Sequence, residues 1–174
     1  MNRVGTNKVG NAYPSIIVVG LGKTGYSCAR FLAARGETFM LMDTRDNPPY
    51  LQRLKAEQPD TPVLLGPLDE AMLCGADRLI LSPGVALSHP AIAAAKAAGV
   101  QITSDIDLFC EVVETPIIAI TGSNANSTVT TLVGLMAGCA GTRDAVSGHK
   151  GTPVPALAGR LTGAGGDLLE RAGM

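Results

Sequence analysis

A glycine-rich loop near the start of the chain carries residue types suited to binding phosphate groups. Gly20-x-Gly22-x-x-Gly25 follows a continuous apolar run and precedes a helical pattern. Backbone N–H groups and the dipole at the start of a helix favour an anion there. Asp43 lies about twenty residues further on, where such sites place an acid for a sugar or base. The pattern predicts a nucleotide diphosphate site, although a tight turn that needs glycine only for packing is the alternative.

A second loop of the same kind lies within residues 117–132, IIAITGSNANSTVTTL. An apolar run, a polar loop and a helix that opens on Ser and Thr form the layout of a phosphate-binding loop. The strict pattern GxxxxGK[ST] is not met, because Ile120 and Ala125 replace its glycines and Asn126 replaces its lysine. Ser127 and Thr128 are placed to offer a hydroxyl to Mg²⁺.

Two further loops follow predicted strands. Residues 43–45 read Asp-Thr-Arg, and residues 82–84 read Ser-Pro-Gly. Asp can accept from a ring N–H or a hydroxyl, Arg offers a fork of donors, and Pro-Gly lets backbone approach a ligand closely. A solvated loop and an ordinary turn explain these segments equally well when each is taken alone.

The elements that must position these loops alternate between strand and helix. Strands are predicted over 16–19, 38–42, 63–65, 78–81 and 100–103, and helices over 26–35, 48–57, 68–73, 91–98 and 106–113. The pattern then restarts with a strand over 117–120 and a helix over 127–140, and ends with a short helix over 167–172. This order predicts a Rossmann-like parallel α/β sheet with helices on both faces, followed by the start of a second P-loop α/β domain.

The same pattern gives the predicted domains. Residues 1–14 form a polar, flexible tail, 15–114 a nucleotide-binding domain, and 115–174 an incomplete second domain. Thr115-Pro116 marks the boundary, and the pattern weakens beyond Gly141, where Gly, Ala and Pro dominate.

Composition excludes several classes of function. The net charge of -1 provides no basic field for nucleic acid or a membrane surface, and 3% aromatic residues provide no stacking platform. The four cysteines form no CxxC pair, which favours reduced thiols in a cytoplasmic protein. The N-terminal segment has no apolar region of a secretion signal, and no run is long enough to cross a membrane.

Several long motifs, taken in order, resemble the Mur ligases of peptidoglycan synthesis, and among them the enzymes that add D-glutamate. The matching segments are 16–25, 42–45, 82–90, 105–109 and 117–134. The resemblance implies a bacterial, cytoplasmic enzyme that joins UDP-N-acetylmuramoyl-L-alanine to D-glutamate. ATP would phosphorylate the substrate carboxylate, the amine of D-glutamate would attack the acyl phosphate, and Mg²⁺ would bridge the phosphates. No obligate protein partner is implied.

The resemblance also implies roles for individual residues and assigns none of them a catalytic role. The first domain would bind the UDP part of the substrate, with Lys23 and Thr24 at the diphosphate, Asp43, Thr44 and Arg45 around uracil, Ser82, Pro83 and Gly84 lining the same pocket, and His149 in place of a substrate-contacting Asn. The second domain would bind ATP through Gly122, Ser123, Asn124, Ala125, Asn126, Ser127 and Thr128, with Ser127 also at Mg²⁺.

Three departures from the family pattern bear on activity. Asn126 removes the charge of the family lysine, His149 is more typical of a solvated loop, and the rest of the ligase is absent from these 174 residues. The chain is therefore expected to be incomplete and inactive alone. A non-catalytic UDP-sugar-binding module is the alternative, and an NAD-dependent dehydrogenase a further one that leaves the second loop unexplained.

Overall fold

The computed structural model describes residues 14–113, 118, 120 and 126–139. The chain divides into two compact units, residues 1–107 and 108–174. The first unit contains a five-stranded sheet with its helices, and the described part of the second contains one long helix.

The strands are β1 (Ile16–Val19), β2 (Phe39–Asp43), β3 (Val63–Leu65), β4 (Arg78–Leu81) and β5 (Gln101–Thr103). The helices are α1 (Lys23–Ala34), α2 (Leu51–Glu57), α3 (Glu70–Gly75), α4 (Pro90–Ala97), α5 (Asp105–Cys110) and α6 (Asn126–Cys139). Gly36 and Gly99, with φ of +71° and +82°, follow α1 and α4 and provide the left-handed residue that commonly ends a helix.

The sheet has the order β3-β2-β1-β4-β5, and all of its pairs are parallel. β1 lies at the centre, with Ile16 opposite Phe39 of β2 on one side and Arg78 of β4 on the other. The three central strands are almost entirely buried and apolar, as expected where both faces of a parallel sheet are covered.

The core follows the alternation of side chains along each strand. On one face, residues such as Ile17 and Met42 pack in a single cluster with Leu73 of α3 and Ile92 of α4. Val18, which lies between Ile17 and Val19, must point to the opposite face. Helix α1 contacts β1, β2 and β4.

The predicted α/β class with a parallel sheet is confirmed, and β1, β3 and β4 have the predicted bounds. Helix boundaries differ more. The helix predicted over 68–73 begins later, at Glu70, because the Asp69 carboxylate caps it by accepting the Met72 N–H at 3.0 Å. Helix α5 ends at Cys110 rather than at residue 113.

The second unit leaves more of its prediction open. Helix α6 agrees with the helix predicted over 127–140 to within a residue at each end. Of the strand predicted over 117–120, the structure describes Ile118 and Ile120, and neither is in a strand. A strand requires a hydrogen-bonded neighbour, and no described residue pairs with these two. The short helix over 167–172 and the N-terminal tail before Pro14 lie outside the described residues.

Candidate functional site

Three of the predicted ligand-binding loops lie at one edge of the sheet. β2, β1 and β4 are neighbours and parallel, so the segments 20–25, 43–45 and 82–84 follow their carboxyl ends on the same side. The chain runs from β1 to β2 and β3 in one direction and returns with β4 on the other side of β1. The switch point therefore lies between β1 and β4, where open α/β sheets bind ligands.

The three glycines of the first loop differ in whether the structure requires glycine at their positions. Gly20 has a φ of +95°, which favours glycine. A Cβ at Gly25 would lie 1.8 Å from the Gly20 carbonyl oxygen and 3.0 Å from the Ser82 Oγ. Gly22 has an ordinary φ of -87°, and a Cβ there would meet no atom within 4 Å. Backbone conformation therefore explains Gly20 and packing explains Gly25, but neither requires glycine at Gly22, the N-cap of α1.

Ser82 connects the loop after β4 to the loop after β1. Its buried hydroxyl donates a hydrogen bond to the Gly20 carbonyl oxygen at 2.8 Å. The following Pro83 and Gly84 are exposed, and a Cβ at Gly84 would meet no atom within 4 Å. The two residues after Ser82 are thus the part of this segment that is open to a ligand.

Asp43 is buried, with 2% of its surface exposed, and its carboxylate accepts four hydrogen bonds. Oδ2 accepts the Leu21 N–H at 2.5 Å and the Arg45 Nη2 at 2.7 Å. Oδ1 accepts the Arg45 backbone N–H and its Nε, both at 2.9 Å. Burial alone would raise the pKa of Asp43, but the hydrogen bonds from Arg45 and Leu21 outweigh it and hold the pKa below its ordinary value.

Arg45 forms a bidentate salt bridge with the Asp43 carboxylate through Nε and Nη2, and the side chain of Arg45 remains 53% exposed. Hydrogen bonding to Asp43 raises the pKa of Arg45, so its positive charge is permanent at this edge. Thr44 and Lys23 are exposed and Thr24 is half-buried. Cationic and hydroxyl groups are therefore accessible here, whereas the acid between them is not.

Two residues at this edge had no predicted role. Leu21 matters through its N–H, which binds Asp43, and its position between Gly20 and Gly22 was the available signal. His89 is the N-cap residue of α4, and its Nδ1 is buried without a hydrogen-bond partner in the part of the chain that the structure describes. The sequence placed His89 within the family-like segment 82–90 but gave it no role.

The predicted ATP-binding residues are only partly visible. The backbone of Asn126 and Ser127 starts α6, and Thr128 is exposed, but residues 122–125 and His149 lie outside the described residues. Among the described residues, no three His, Cys, Asp or Glu side chains are grouped to hold a metal ion. The roles assigned to these residues stay predictions.

The fold and the three loops have counterparts in known proteins. A family profile described as "Mur ligase MurD-like, N-terminal domain" matches residues 14–104, more than half of the chain. The chain belongs to the MurD-like Mur ligases. The matched range includes all three loops at the switch point.

Relatives in this MurD-like family are similar over 137 residues. Proteins named UDP-N-acetylmuramoylalanine--D-glutamate ligase are 56% identical in Pseudomonas fluorescens and 53% identical in Marinobacter nauticus. Each match covers 79% of this chain and 31% of the relative. The chain thus matches about a third of the length of these relatives.

Solved structures share the fold at lower identity. A pseudomurein peptide ligase type C from Methanothermus fervidus is 22% identical with a TM-score of 0.51, over 92% of this chain and 33% of that one. A UDP-N-acetylmuramate:L-alanyl-gamma-D-glutamyl-meso-diaminopimelate ligase from Neisseria meningitides is 14% identical with a TM-score of 0.51, over 92% and 52%. Within the described residues, no helix is long and apolar enough to cross a membrane.

Proposed function

We propose that residues 15–114 bind the UDP part of a UDP-N-acetylmuramoyl-L-alanine substrate, as the nucleotide-binding domain of a D-glutamate-adding ligase of peptidoglycan synthesis. The observation that carries the proposal is Gly22. It lies at the switch point, and neither its φ nor its surroundings require glycine. A ligand that approaches the backbone closely supplies the missing reason, as a diphosphate does at the second glycine of such loops.

The neighbouring residues support an anionic ligand at this point. Lys23 and Thr24 form the first turn of α1, a helix of 12 residues whose first turn contains no acidic side chain. Backbone N–H groups, the helix dipole and the lysine charge then act together on a diphosphate. In this arrangement the nucleoside part of the pocket is lined by Thr44, Arg45, Pro83 and Gly84. The buried Asp43 and Ser82 hold these loops in place through hydrogen bonds to Arg45 and Gly20.

The remaining parts of the proposal rest on family membership. Residues 115–174 would begin the ATP-binding domain, with ATP at 122–128, Mg²⁺ at Ser127 and substrate contact from His149. Residues 1–14 would be a flexible tail, and the protein would be located in the bacterial cytoplasm. When bound, ATP supplies the phosphoryl group that activates the substrate carboxylate for attack by D-glutamate.

A UDP-sugar-binding module without ligase activity is the second candidate. Asn126 favours it, because the UDP-binding loops lie within the matched family range whereas the ATP loop lacks the positive charge of the family lysine. The two candidates share the UDP site and differ only in turnover. An NAD-dependent dehydrogenase has no support beyond the first glycine loop and Asp43.

Titration calorimetry with UDP, ADP and NAD tests the proposal. The chain should bind UDP more tightly than ADP or NAD, and Gly22→Ala should weaken UDP binding at a stability cost of at most about 1 kcal/mol, since Gly22 is the N-cap of α1. Gly36→Ala is the matched control, since the φ of +71° at Gly36 should cost about 1–2 kcal/mol of stability and leave UDP affinity unchanged. Preference for NAD, or unchanged UDP affinity in Gly22→Ala, would contradict the proposal.

ATP turnover separates the two candidate functions. Asn126 lacks the positive charge of the family lysine, and loss of one such group costs on the order of 10²–10³ in rate. We expect no ATP hydrolysis above background when the chain is mixed with UDP-N-acetylmuramoyl-L-alanine, D-glutamate, ATP and Mg²⁺. Phosphate release measures it, with a full-length relative as the positive control. Sustained phosphate release by the purified chain would contradict this expectation and favour the ligase.

A further inference from the structure

We propose that Asp43 is a positioning residue that selects the nucleotide indirectly, by fixing the Leu21 N–H and the Arg45 guanidinium, and that it makes no contact with the ligand. The inference rests on the proposed function, because it assigns the chemistry of the same pocket. It departs from the sequence-based expectation that this acid accepts a hydrogen bond from a base or a ribose.

The first argument is the hydrogen-bonding capacity of the carboxylate. An ionised carboxylate has about four lone-pair sites. In Asp43 four donors already occupy them, two on each oxygen, at 2.5 to 2.9 Å. With 2% of its surface exposed, Asp43 has neither a free acceptor site nor access for a ligand hydroxyl.

The second argument is what these four bonds connect. Leu21 belongs to the loop after β1, whereas Arg45 follows β2, the neighbouring strand. Asp43 therefore joins the glycine loop to the arginine across two adjacent strand ends. Nε and Nη2 of Arg45 are held on Asp43, so the half-exposed guanidinium presents its remaining N–H groups in a fixed orientation.

The two arguments define the ligand chemistry that this corner selects. It presents hydrogen-bond donors with a positive charge and no acceptor from Asp43. A group that accepts, such as a nucleobase carbonyl, is complementary to it. A ribose diol that must donate to an acid, as in dinucleotide-binding folds, finds its usual partner occupied. The site should therefore favour a uracil-type acceptor edge at this corner over NAD, whose usual pose in such folds places a ribose diol there.

A double-mutant cycle tests whether Asp43 acts through Arg45. UDP binding is measured by calorimetry for the wild type, Asp43→Asn, Arg45→Ala and the double variant. Each single change should weaken binding by about tenfold, the loss expected for one charge-assisted contact. The double variant should bind less weakly than the product of the two single losses, because the part of the Asp43 effect that passes through the arginine is already lost in Arg45→Ala. Losses that multiply would overturn the inference.

A spectroscopic readout separates positioning from general stability. In the free wild-type protein the Arg45 Nε–H should give a slowly exchanging NMR signal, which is lost in Asp43→Asn. Gly36→Ala controls for destabilisation and should retain both the signal and UDP affinity. Failure of the wild type to bind UDP would refute the proposed function. The Arg45 Nε–H signal of the free protein would still test whether Asp43 fixes the Arg45 guanidinium. UDP binding without that signal would refute the positioning role alone.

Discussion

Asp43 is a buried charge, so its contribution to stability must depend on pH. Its folded-state pKa is below the ordinary value of about 3.9, so a proton binds the unfolded chain first as the pH falls. The stabilisation is complete above that ordinary value and is lost as the pH falls through the folded-state pKa. Protonation would also remove the acceptor of the buried Leu21 N–H.

We expect Asp43→Asn to lower stability at neutral pH by about 1–3 kcal/mol, since an amide nitrogen replaces an acceptor oxygen and leaves a buried donor unsatisfied. The variant should also lose less stability than the wild type between about pH 5 and pH 2, because the titrating group is gone. Urea unfolding across this range measures both effects. Parallel pH curves for the two proteins would contradict the assignment.

The sequence predicted which residues lie at this edge of the sheet, but it did not predict which atoms each of them contacts. Asp43, Arg45 and Ser82 were all expected at one edge, and the structure places them there. That Asp43 faces inward depends on Leu21, which is distant in the chain and meets Asp43 only because β1 and β2 pair. Ser82 likewise binds Gly20 only once β4 lies beside β1. These partners are products of the fold, so no local pattern could reveal them.

Helices α1 and α2 are joined by a polar and aromatic cluster around the buried Tyr26. The Tyr26 hydroxyl donates to Glu57 Oε2 at 2.6 Å, and its ring stacks on Tyr50 at 5.1 Å. Arg53 Nε donates to Glu57 Oε1 at 3.2 Å, and its guanidinium lies 5.2 Å from the Tyr26 ring. Burial and the hydrogen bond to Glu57 raise the pKa of Tyr26 above 10.0.

Tyr26→Phe should lower the thermal midpoint by a few degrees, because it keeps the ring stack and removes the link to α2. The wild type should also lose stability as the pH rises above 10, since a raised folded-state pKa contributes stability only while the phenol is protonated. Thermal melts at pH 7 and pH 10.5 (about the onset of this titration) measure both effects. Adding Glu57→Gln to Tyr26→Phe should lower the thermal midpoint little further. Fully additive losses would count against the hydrogen bond between Tyr26 and Glu57 as the link between the helices.

Element boundaries show where the sequence was informative. Strands β1 and β3 are continuous apolar runs and β4 is an apolar run after Arg78, and the predicted limits of all three are confirmed. Helix α1 begins at Lys23, three residues before its predicted start. The prediction missed this start because Lys-Thr-Gly carries no helix-start signal. Its start follows from the closely packed glycine loop, in which Gly25 touches the Gly20 carbonyl. Tertiary contact, rather than propensity, sets that boundary.

At the scale of the whole chain, α6 has large apolar side chains in contact with solvent. Val129, Leu132, Leu135 and Met136 are between 45% and 63% exposed. Their spacing of three to four residues places them along one side of the helix. A contiguous apolar patch of this kind is uncommon on monomeric proteins and favours association.

We therefore expect the purified chain to self-associate with increasing concentration, and Leu132→Lys with Leu135→Glu to reduce this association. Size-exclusion chromatography with light scattering measures the mass. Leu87→Lys is the matched control, because Leu87 is 62% exposed but lies in the first unit and is not part of α6, so its replacement should leave the mass unchanged. A monomer at every concentration would show that the α6 side chains do not drive association.

The strand order also constrains how the chain can fold during synthesis. β1 pairs with two strands, β2 and β4. β2 follows β1 after one helix, whereas β4 follows β2 only after β3 and two further helices. Pairing across such a separation is entropically slow. On the ribosome, β1 must therefore keep one edge open until β4 emerges, and the Ser82 bond to Gly20 can close only then. Force measurements on arrested nascent chains should register folding only once residues beyond 82 have left the exit tunnel, and a signal at shorter lengths would contradict this order.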